Sequence, residues 1–218
     1  MAILIVLTCW SFFLSTVNIM WSPLLWLGIS WIGYGALHSL LASKACKDYF
    51  AQKNPSFFRF YRLVYMVIAF VTLLPPLYLL YQSPGFLCWE PGLISKLAGL
   101  LCILPGLFIM TKCLYLYLGT IKVFRDLVIE KPGQILFRNG LHGRVRHPLY
   151  LGTFLVLWGI FMVLPYSALL LTNIIITLYT LLGIRFEEKK LRAEFGETYS
   201  RYIKEVPMIL PRLGKKSN

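Results

Sequence analysis

The fold is decided by residues 144–184, which read RVRHPLYLGTFLVLWGIFMVLPYSALLLTNIIITLYTLLGI. A basic, histidine-containing cluster stands directly before a long apolar segment that opens with proline. Because proline is pre-organised for the first position of a helix and loses no hydrogen bond there, a helix is predicted to begin at Pro148 with His147 as its cap. The free N–H groups and the positive end of the helix dipole then face Arg144, Arg146 and His147, which predicts an anion site.

The apolar stretch after Pro148 is too long for one membrane-spanning helix, and Pro165 divides it. A close helical hairpin is therefore predicted, whose first helix is short or tilted. Other apolar stretches near the ~20 residues that cross a bilayer occur along the rest of the chain. About six crossings are predicted in all, over residues 2–20, 23–43, 63–82, 93–117, 148–164 and 166–184.

The composition is that of an integral membrane protein. Hydrophobic residues make up 58% of the 218 residues and charged residues only 14%, and the mean hydropathy is +0.68. A soluble chain of this length needs a polar surface that this one cannot supply, whereas lipid-facing helices need none. We therefore expect an all-α integral membrane protein with about six transmembrane helices. Because no Lys or Arg precedes Lys44, residues 1–20 lack the basic start of a signal peptide and are expected to stay in the protein.

The distribution of basic residues predicts the orientation. Lys and Arg concentrate in loops 44–62 and 118–147 and in the tail from Arg185 onward, whereas loop 83–92 contains neither. Since basic loops stay on the cytoplasmic side, we expect a multi-pass protein with both termini in the cytoplasm, in the inner membrane of a bacterium or the endoplasmic reticulum of a eukaryote. The net charge of +13 is assigned to topology and to anionic membrane lipids rather than to nucleic acid.

Cysteine and histidine usage argues against a metal site. None of the cysteines stands in a CxxC or another metal-ligand spacing, and three histidines are too few for the repeated boxes of diiron membrane enzymes. The cysteines are Cys9, Cys46, Cys88, Cys102 and Cys113, and the histidines are His38, His142 and His147. We expect no metal, and no disulfide is required.

A second polar cluster follows the last apolar segment. Glu187, Leu191, Phe195 and Tyr199 recur every four residues and share one face of the helix predicted there. An interfacial amphipathic helix explains this stripe, but it does not explain why Glu187 and Glu188 stand together beside an anionic membrane. With the basic cluster, the segment offers cations for a carboxylate, a carboxylate for an ammonium group and aromatic rings for a heterocycle. That set suits a zwitterionic aromatic ligand such as S-adenosyl-L-methionine.

The same residues carry a resemblance to a known family. The pattern consists of Gly140, Arg146, His147, Pro148, Leu149, Tyr150, Gly152, Glu187, Glu188, Leu191, Phe195, Gly196, Tyr199, Tyr202, Val206, Pro207 and Pro211. In that order it resembles the membrane methyltransferases that include isoprenylcysteine carboxyl methyltransferase, the phospholipid N-methyltransferases and bacterial thiol S-methyltransferases. The resemblance covers roughly residues 130–212 and implies methyl transfer from S-adenosyl-L-methionine to an acceptor.

By that resemblance, residues 1–120 hold about four transmembrane helices and residues 121–218 form the cofactor-binding core, with the helical hairpin and a cytoplasmic C-terminal helix. The implied cofactor-binding residues are Gln134, Ile135, Leu136, Phe137, His142, His147, Pro148, Leu149, Tyr150, Glu187 and Glu188. The candidate catalytic residues are Arg146, His147 and His142. The family often has tyrosine where His142 stands, and three roles stay open for this imidazole: a contact to the cofactor, a proton acceptor for a thiol, or a solvated loop residue.

The acceptor is less constrained by the sequence. Residues 38–43 and 61–65, HSLLAS and YRLVY, look like bacterial thiol S-methyltransferases. This favours a thiol sulfur, with the carboxylate of a prenylated cysteine and a phospholipid amine as alternatives. His38, Arg62 and Arg185 are the candidate acceptor contacts. The alternatives are a polar residue satisfied between helices for His38 and an interfacial anchor for Arg62.

Two other functional classes stay open. One is a non-catalytic membrane scaffold with a degenerate cofactor fold. The other is a small transporter or channel, which the scarcity of acidic residues in the predicted crossings and the lack of a visible inverted repeat disfavour.

Overall fold

The structure is a computed structural model, which describes residues 23–120 and 136–211. Those residues are helical apart from turns, loops and an isolated bridge between Leu87 and Tyr166. The α-helices are α1 Pro23–Ala42, α2 Lys44–Lys53, α3 Pro55–Phe58, α4 Tyr61–Gln82, α5 Leu93–Thr120, α6 Pro148–Val163 and α7 Ser167–Glu205, and a short 3₁₀ helix spans Gly140–Gly143. The predicted all-α class is confirmed for this part of the chain.

Four of the described helices, α1, α4, α5 and α7, are long and apolar enough to cross a membrane. Helix α6 has 16 residues, fewer than the ~20 that span a bilayer, in line with the short or tilted helix predicted there. Each predicted apolar segment from residue 23 onward coincides in position with a described helix, and four of these five helices are long enough to span. The remaining predicted crossing, residues 2–20, lies outside the described residues.

Helices α5 and α6 pack backbone to backbone through two pairs of glycines. A Cβ atom built on Gly106 would lie 2.8 Å from the carbonyl oxygen of Gly152, and one built on Gly99 would lie 2.6 Å from that of Gly159. Any larger residue at these positions must push the helices apart. Small residues let membrane helices approach closely and gain van der Waals contact, because lipid supplies no hydrophobic force between helices. This contact fixes the start of α6 relative to α5.

Helix α7 is tied to α1 and to α6 inside the apolar region. Leu27 and Trp31 of α1 belong to a buried cluster that α7 completes. The indole N–H of Trp31 donates to Thr172 Oγ1 at 3.0 Å, and Asn173 Nδ2 donates to the carbonyl of Leu157 at 2.9 Å. Because an unsatisfied donor is costly in an apolar interior, these bonds favour one relative position of the three helices.

The turn between α6 and α7 is closed by the loop that follows α4. Pro165 lies in the turn, as predicted, and its carbonyl accepts from the N–H of Cys88 at 2.7 Å. The hydroxyl of Ser167 accepts from the N–H of Phe86 at 3.1 Å. Gly85 has a φ of 77°, and a Cβ atom there would lie 2.1 Å from Ser167 Oγ, so the close approach requires glycine.

Helix α7 is longer than the sequence predicted. The predicted crossing 166–184 and the amphipathic helix expected after it form a single helix, broken at Gly196, where φ is 54° and ψ is −126°. The apolar and amphipathic segments are continuous because the charged residues 185–190 at their junction are mostly good helix formers. The conformation at Gly196 is open to glycine and strained for other residues.

Candidate functional site

A cavity of about 450 Å³ lies where the 3₁₀ helix, the start of α6 and the polar half of α7 meet. Its walls are formed by Leu136, Phe137, His142, Arg146, His147, Leu149, Tyr150, Glu187, Leu191, Tyr199 and Tyr202. Apolar and aromatic side chains predominate, with a few ionisable groups among them. That mixture in one concave site is typical of small-molecule binding.

The residues around the end of α7 hold the basic cluster in place. We call residues 203–208 the C-terminal strap. The backbone N–H of Arg146 donates to the carbonyl of Pro207 at 2.9 Å, and the N–H of His147 donates to the carbonyl of Met208 at 3.1 Å. These two successive bonds set the directions in which both side chains leave the backbone.

The side chain of Arg146 is turned toward the protein. Its Nε and Nη2 atoms lie 2.8 and 2.7 Å from Oε1 of Glu188, and its Nη1 donates to the carbonyls of Ile203 and Val206 at 3.3 and 2.6 Å. The arginine side chain is 8% exposed and the glutamate side chain 13%, so this is a largely buried, hydrogen-bonded ion pair. The anion site predicted at this helix end is therefore taken by the chain's own carboxylate.

His147 stands at the N-cap position of α6, which begins at Pro148 as predicted, but its ring makes no capping hydrogen bond. Its Nε2 lies 3.2 Å from Oε1 of Glu188, and its Nδ1 lies 3.8 Å from Oε2 of Glu187. The ring is 5% exposed. His147 therefore caps the helix by position only, and the partners of its ring are the carboxylates of α7.

Glu187 is the more open of the two carboxylates. Its side chain is 45% exposed, against 13% for Glu188, and the hydroxyl of Tyr150 donates to its Oε2 at 3.2 Å. Three of the four residues of the predicted helical stripe, Glu187, Leu191 and Tyr199, line the cavity, and the fourth, Phe195, packs against the buried cluster that contains Tyr199. A carboxylate at an otherwise aromatic site can bind a cation.

Aromatic rings form another part of the wall. The ring centroids of Phe137 and His142 are 5.9 Å apart, as are those of Tyr199 and Tyr202. The hydroxyl of Tyr202 donates to the carbonyl of His142 at 2.5 Å, which fixes the 3₁₀ helix against α7. The hydroxyl of Tyr199 is buried and has no hydrogen-bond partner among the described residues. It is therefore a polar atom that a ligand could satisfy.

His142 is only 6% exposed, so it is not a solvated loop residue. Burial lowers the pKa of His142 below its usual value of 6.5, and the neighbouring His147 lowers it further. The imidazole is therefore neutral at neutral pH, where it can accept a proton or a hydrogen bond.

Comparison with known proteins identifies the family. A family profile described as phospholipid methyltransferase matches residues 94–198, from α5 into the polar half of α7. The methanethiol S-methyltransferase of Pseudomonas deceptionensis is 30% identical over 188 residues, which are 83% of this chain and 70% of that protein. The chain belongs to the phospholipid methyltransferase family.

Other relatives match this family member over shorter stretches. The methanethiol S-methyltransferase of Crocosphaera subtropica is 45% identical over 73 residues, or 34% of this chain and 28% of that protein. The protein-S-isoprenylcysteine O-methyltransferase of Schizosaccharomyces pombe is 33% identical over 91 residues, or 40% of this chain and 39% of that protein. The chain thus covers well under half the length of either relative. No solved structure matches it.

Most of the cofactor-binding residues implied by the resemblance lie together in this family member. Those that line the cavity are Leu136, Phe137, His142, His147, Leu149, Tyr150 and Glu187. Gln134 and Ile135 lie outside the described residues. Pro148 is fully buried at the start of α6, and Glu188 is paired with Arg146.

The candidate acceptor residues do not line the cavity. His38, Arg62 and Arg185 are not among the described residues that form its walls. In α1, His38 Nε2 lies 2.8 Å from the hydroxyl of Tyr65 in α4, and the ring lies 6.4 Å from that of Tyr179 in α7. Arg62 and Arg185 are exposed.

Three cavity residues, Leu191, Tyr199 and Tyr202, were not among the predicted site residues. The four-residue stripe that starts at Glu187 marks the first two, and Tyr202 lies one helical turn after Tyr199. A fuller use of the helical period would therefore have found all three.

The possible metal ligands and the cysteine thiols of this family member do not form a recognisable site in the described residues. Within residues 23–120 and 136–211, no group of three or more His, Cys, Asp or Glu side chains is placed to hold a metal ion. Cys46, Cys88, Cys102 and Cys113 are free thiols, and Cys9 lies outside the described residues.

Proposed function

We propose that this chain is an S-adenosyl-L-methionine-dependent membrane methyltransferase that acts on a thiol sulfur or, alternatively, on the carboxylate of a prenylated cysteine. The observation that carries the proposal is the unlike surroundings of two adjacent carboxylates. Glu188 is neutralised by Arg146, while Glu187 stays open at a cavity lined with aromatic rings. One negative charge beside flat apolar surfaces suits a sulfonium nucleoside with an ammonium group.

The residues of the cavity fit this cofactor. Glu187 would pair with its ammonium group, and the ring of Phe137 would face its adenine. The buried hydroxyl of Tyr199 would gain the hydrogen bond that the described protein residues do not supply. The proposed binding set is completed by Gln134, Ile135, Leu136, His147, Leu149 and Tyr150.

The bound cofactor supplies an activated methyl group, so the protein has chiefly to hold two reactants together and exclude water. Orientation of that kind is worth about 7–11 kcal/mol in well-aligned systems. Arg146 and Glu188 would act as positioning residues, since their buried pair holds His147 and the start of α6. The ring of His147 lies beside Glu187 and Glu188 at the cavity wall.

The names of the relatives support a thiol as the acceptor. Two of these relatives are named methanethiol S-methyltransferase, and a third is named for a prenylated cysteine. We therefore favour a small or lipophilic thiol, with the prenylcysteine carboxylate second and a phospholipid amine third.

An acceptor that enters from lipid would pass the polar cluster around His38. Tyr179 of that cluster precedes Glu187 on α7 by about 12 Å, at ~1.5 Å per residue. His38 would meet the acceptor on this path, and Arg62 and Arg185 would meet its polar end near the membrane surface.

We also propose six crossings with both termini in the cytoplasm. Residues 1–120 would form the amino-terminal membrane part, and residues 121–218 would form the cofactor-binding core. The basic tail and the loops 44–62 and 118–147 would contact anionic lipid headgroups. The cavity would then open toward the cytosol, where a water-soluble cofactor is available.

Calorimetric binding of S-adenosyl-L-methionine and S-adenosylhomocysteine to the detergent-purified protein tests the proposal. We expect micromolar affinity for the wild type. Glu187→Gln should bind about tenfold more weakly or worse, because a hydrogen bond to a charged group is worth about 1.5–3 kcal/mol. Glu197→Gln is the matched control, since Glu197 is an exposed carboxylate on the same helix.

Equal losses in the two variants would show that the effect does not come from the cavity. A folded wild-type protein that binds neither compound would contradict the proposal and favour the alternative, a non-catalytic membrane scaffold with a degenerate cofactor fold. Established binding would be followed by an assay with thiol, prenylcysteine and phospholipid acceptors.

A further inference from the structure

His142 is held firmly in the cavity wall. Its carbonyl oxygen accepts a hydrogen bond from the hydroxyl of Tyr202 at 2.5 Å, and its ring centroid lies 5.9 Å from that of Phe137. The residue is 6% exposed and still borders the cavity. A fixed imidazole that faces a ligand site and is shielded from bulk water is suited to acid–base chemistry.

The cavity contains two imidazoles in different surroundings. The Nε2 of His147 lies 3.2 Å from Glu188 Oε1, which commits that ring to the buried ion pair. Burial and the neighbouring His147 both lower the pKa of His142, which favours the neutral, proton-accepting form at neutral pH. The other charged and titratable groups at the cavity are Arg146 before α6, Tyr150 on α6, and Glu187, Glu188, Tyr199 and Tyr202 on α7.

We propose that His142 is the general base that takes the proton of a thiol acceptor bound in this cavity. The inference rests on the proposed methyltransferase function and selects the thiol among its acceptors. A carboxylate acceptor is already ionised at neutral pH and needs no base. A thiol with a pKa of about 8.5 is mostly protonated there, and its thiolate is the nucleophile.

The proton passes from the acceptor sulfur to a ring nitrogen of His142, and the sulfur keeps the electron pair of the S–H bond. The thiolate uses that pair to form the new bond to the methyl carbon. The older carbon–sulfur bond breaks toward the donor sulfur, which changes from a sulfonium to a neutral thioether. The imidazolium then releases its proton to water, which restores the starting form of His142.

The test compares two acceptors with the wild type, His142→Gln and His142→Tyr. One acceptor is an alkanethiol, which is protonated at pH 7, and the other is an aromatic thiol that is largely ionised by pH 8. Glutamine keeps a hydrogen-bonding side chain and tyrosine keeps an aromatic ring, but neither accepts a proton near neutral pH. The pair of variants therefore separates loss of the base from loss of volume or packing.

We expect kcat/KM for the alkanethiol to fall by about 100-fold in both variants at pH 7, the lower end of the usual contribution of a general base. The loss with the ionised aromatic thiol should be roughly tenfold smaller. The loss with the alkanethiol should also shrink as the pH approaches the pKa of that thiol, because solvent then supplies the thiolate.

Calorimetric affinity for S-adenosylhomocysteine in the same variants gives a readout besides turnover, and a base that acts on the acceptor should change it little. Equal losses with both acceptors, together with weaker binding of this compound, would overturn the inference and make His142 a cofactor contact. A wild type that binds the compound but methylates neither thiol would also overturn it, with the cofactor site intact. A wild type that does not bind the compound would contradict the proposed function and this inference with it.

Discussion

Most hydrogen-bond donors of the Arg146 guanidinium are already used within the protein, because they donate to Glu188 and to two carbonyls of the C-terminal strap. The planar fork of donors on arginine suits this arrangement, and no other side chain reproduces it. We therefore propose a positioning role for Arg146, in place of the catalytic role that the resemblance implies.

Replacing Arg146 by glutamine should lower the stability of the protein. The Glu188 carboxylate would stay largely buried without its counter-charge, and breaking such a pair costs about 3–5 kcal/mol. The melting temperature in detergent, followed by circular dichroism, measures the effect. Arg144→Gln is the matched control, because Arg144 is exposed two residues earlier. An unchanged melting temperature in the Arg146 variant would show that the pair does not stabilise the fold.

The lowered pKa of His142 predicts a loss of stability in acid. In the unfolded chain this imidazole takes up a proton near its usual value of 6.5, whereas the folded protein takes it up only at lower pH. The contribution is fully present above about pH 6.5 and is lost as the pH falls from there through the folded pKa. Melting temperatures between pH 8 and 5 should therefore fall less in His142→Tyr than in the wild type. Parallel curves for the two proteins would contradict this assignment.

At the scale of elements, the glycine pairs between α5 and α6 predict a position that does not tolerate alanine. A Cβ atom on Gly152 would lie 2.8 Å from Met110 Cγ and 2.9 Å from the carbonyl oxygen of Gly106. Overpacking of this kind costs about 1–3 kcal/mol, so Gly152→Ala should melt at a lower temperature. Gly33→Ala in α1 is the control, since its Cβ would meet nothing within 4 Å. The idea fails if both variants melt alike.

The break in α7 predicts an effect on the cavity itself. Alanine at Gly196, where φ is 54° and ψ is −126°, should cost about 1–3 kcal/mol. It should also displace Tyr199 and Tyr202, which follow the break and line the cavity. We expect weaker binding of S-adenosylhomocysteine in Gly196→Ala by calorimetry. Gly183→Ala lies on the same helix with open space around its Cβ and should bind as the wild type does. Similar affinities for S-adenosylhomocysteine in both variants would show that the break at Gly196 does not affect ligand binding.

Features that depend on a few neighbouring residues could be predicted from the sequence, whereas contacts between distant residues could not. Proline marked both the start of α6 at Pro148 and the turn at Pro165, because its ring acts on the adjacent backbone. The helical period gave the face of α7 that begins at Glu187. The ion pair of Arg146 with Glu188 joins residues 42 apart in sequence, so it depends on how α6 and α7 pack, which no local pattern specifies. The contacts of the strap with Arg146 and His147 could not be predicted for the same reason, although the resemblance implied most of the residues that line the cavity.

For the whole molecule, the proposed topology puts Cys46 and Cys88 on opposite sides of the membrane, with α4 between them. Variants that keep one of these cysteines and lack the others can be treated with a membrane-impermeant maleimide. Cys88 should be labelled in intact cells, whereas Cys46 should be labelled only after the membrane is permeabilised. The reverse order would invert the orientation, and equal labelling of both in intact cells would contradict a crossing by α4.

The C-terminal strap also has a consequence for biosynthesis. Helices α1 to α6 leave the ribosome well before Pro207 and Met208, whose carbonyls hold the backbone of Arg146 and His147. Membrane insertion and the pairing of α5 with α6 can therefore finish while the basic cluster is still unsupported. The cavity can take its final form only after Pro207 and Met208 have left the ribosome. A polypeptide that ends before residue 203 would insert into the membrane without the strap carbonyls that hold Arg146 and His147. Ligand binding would therefore have to wait until the strap has been made.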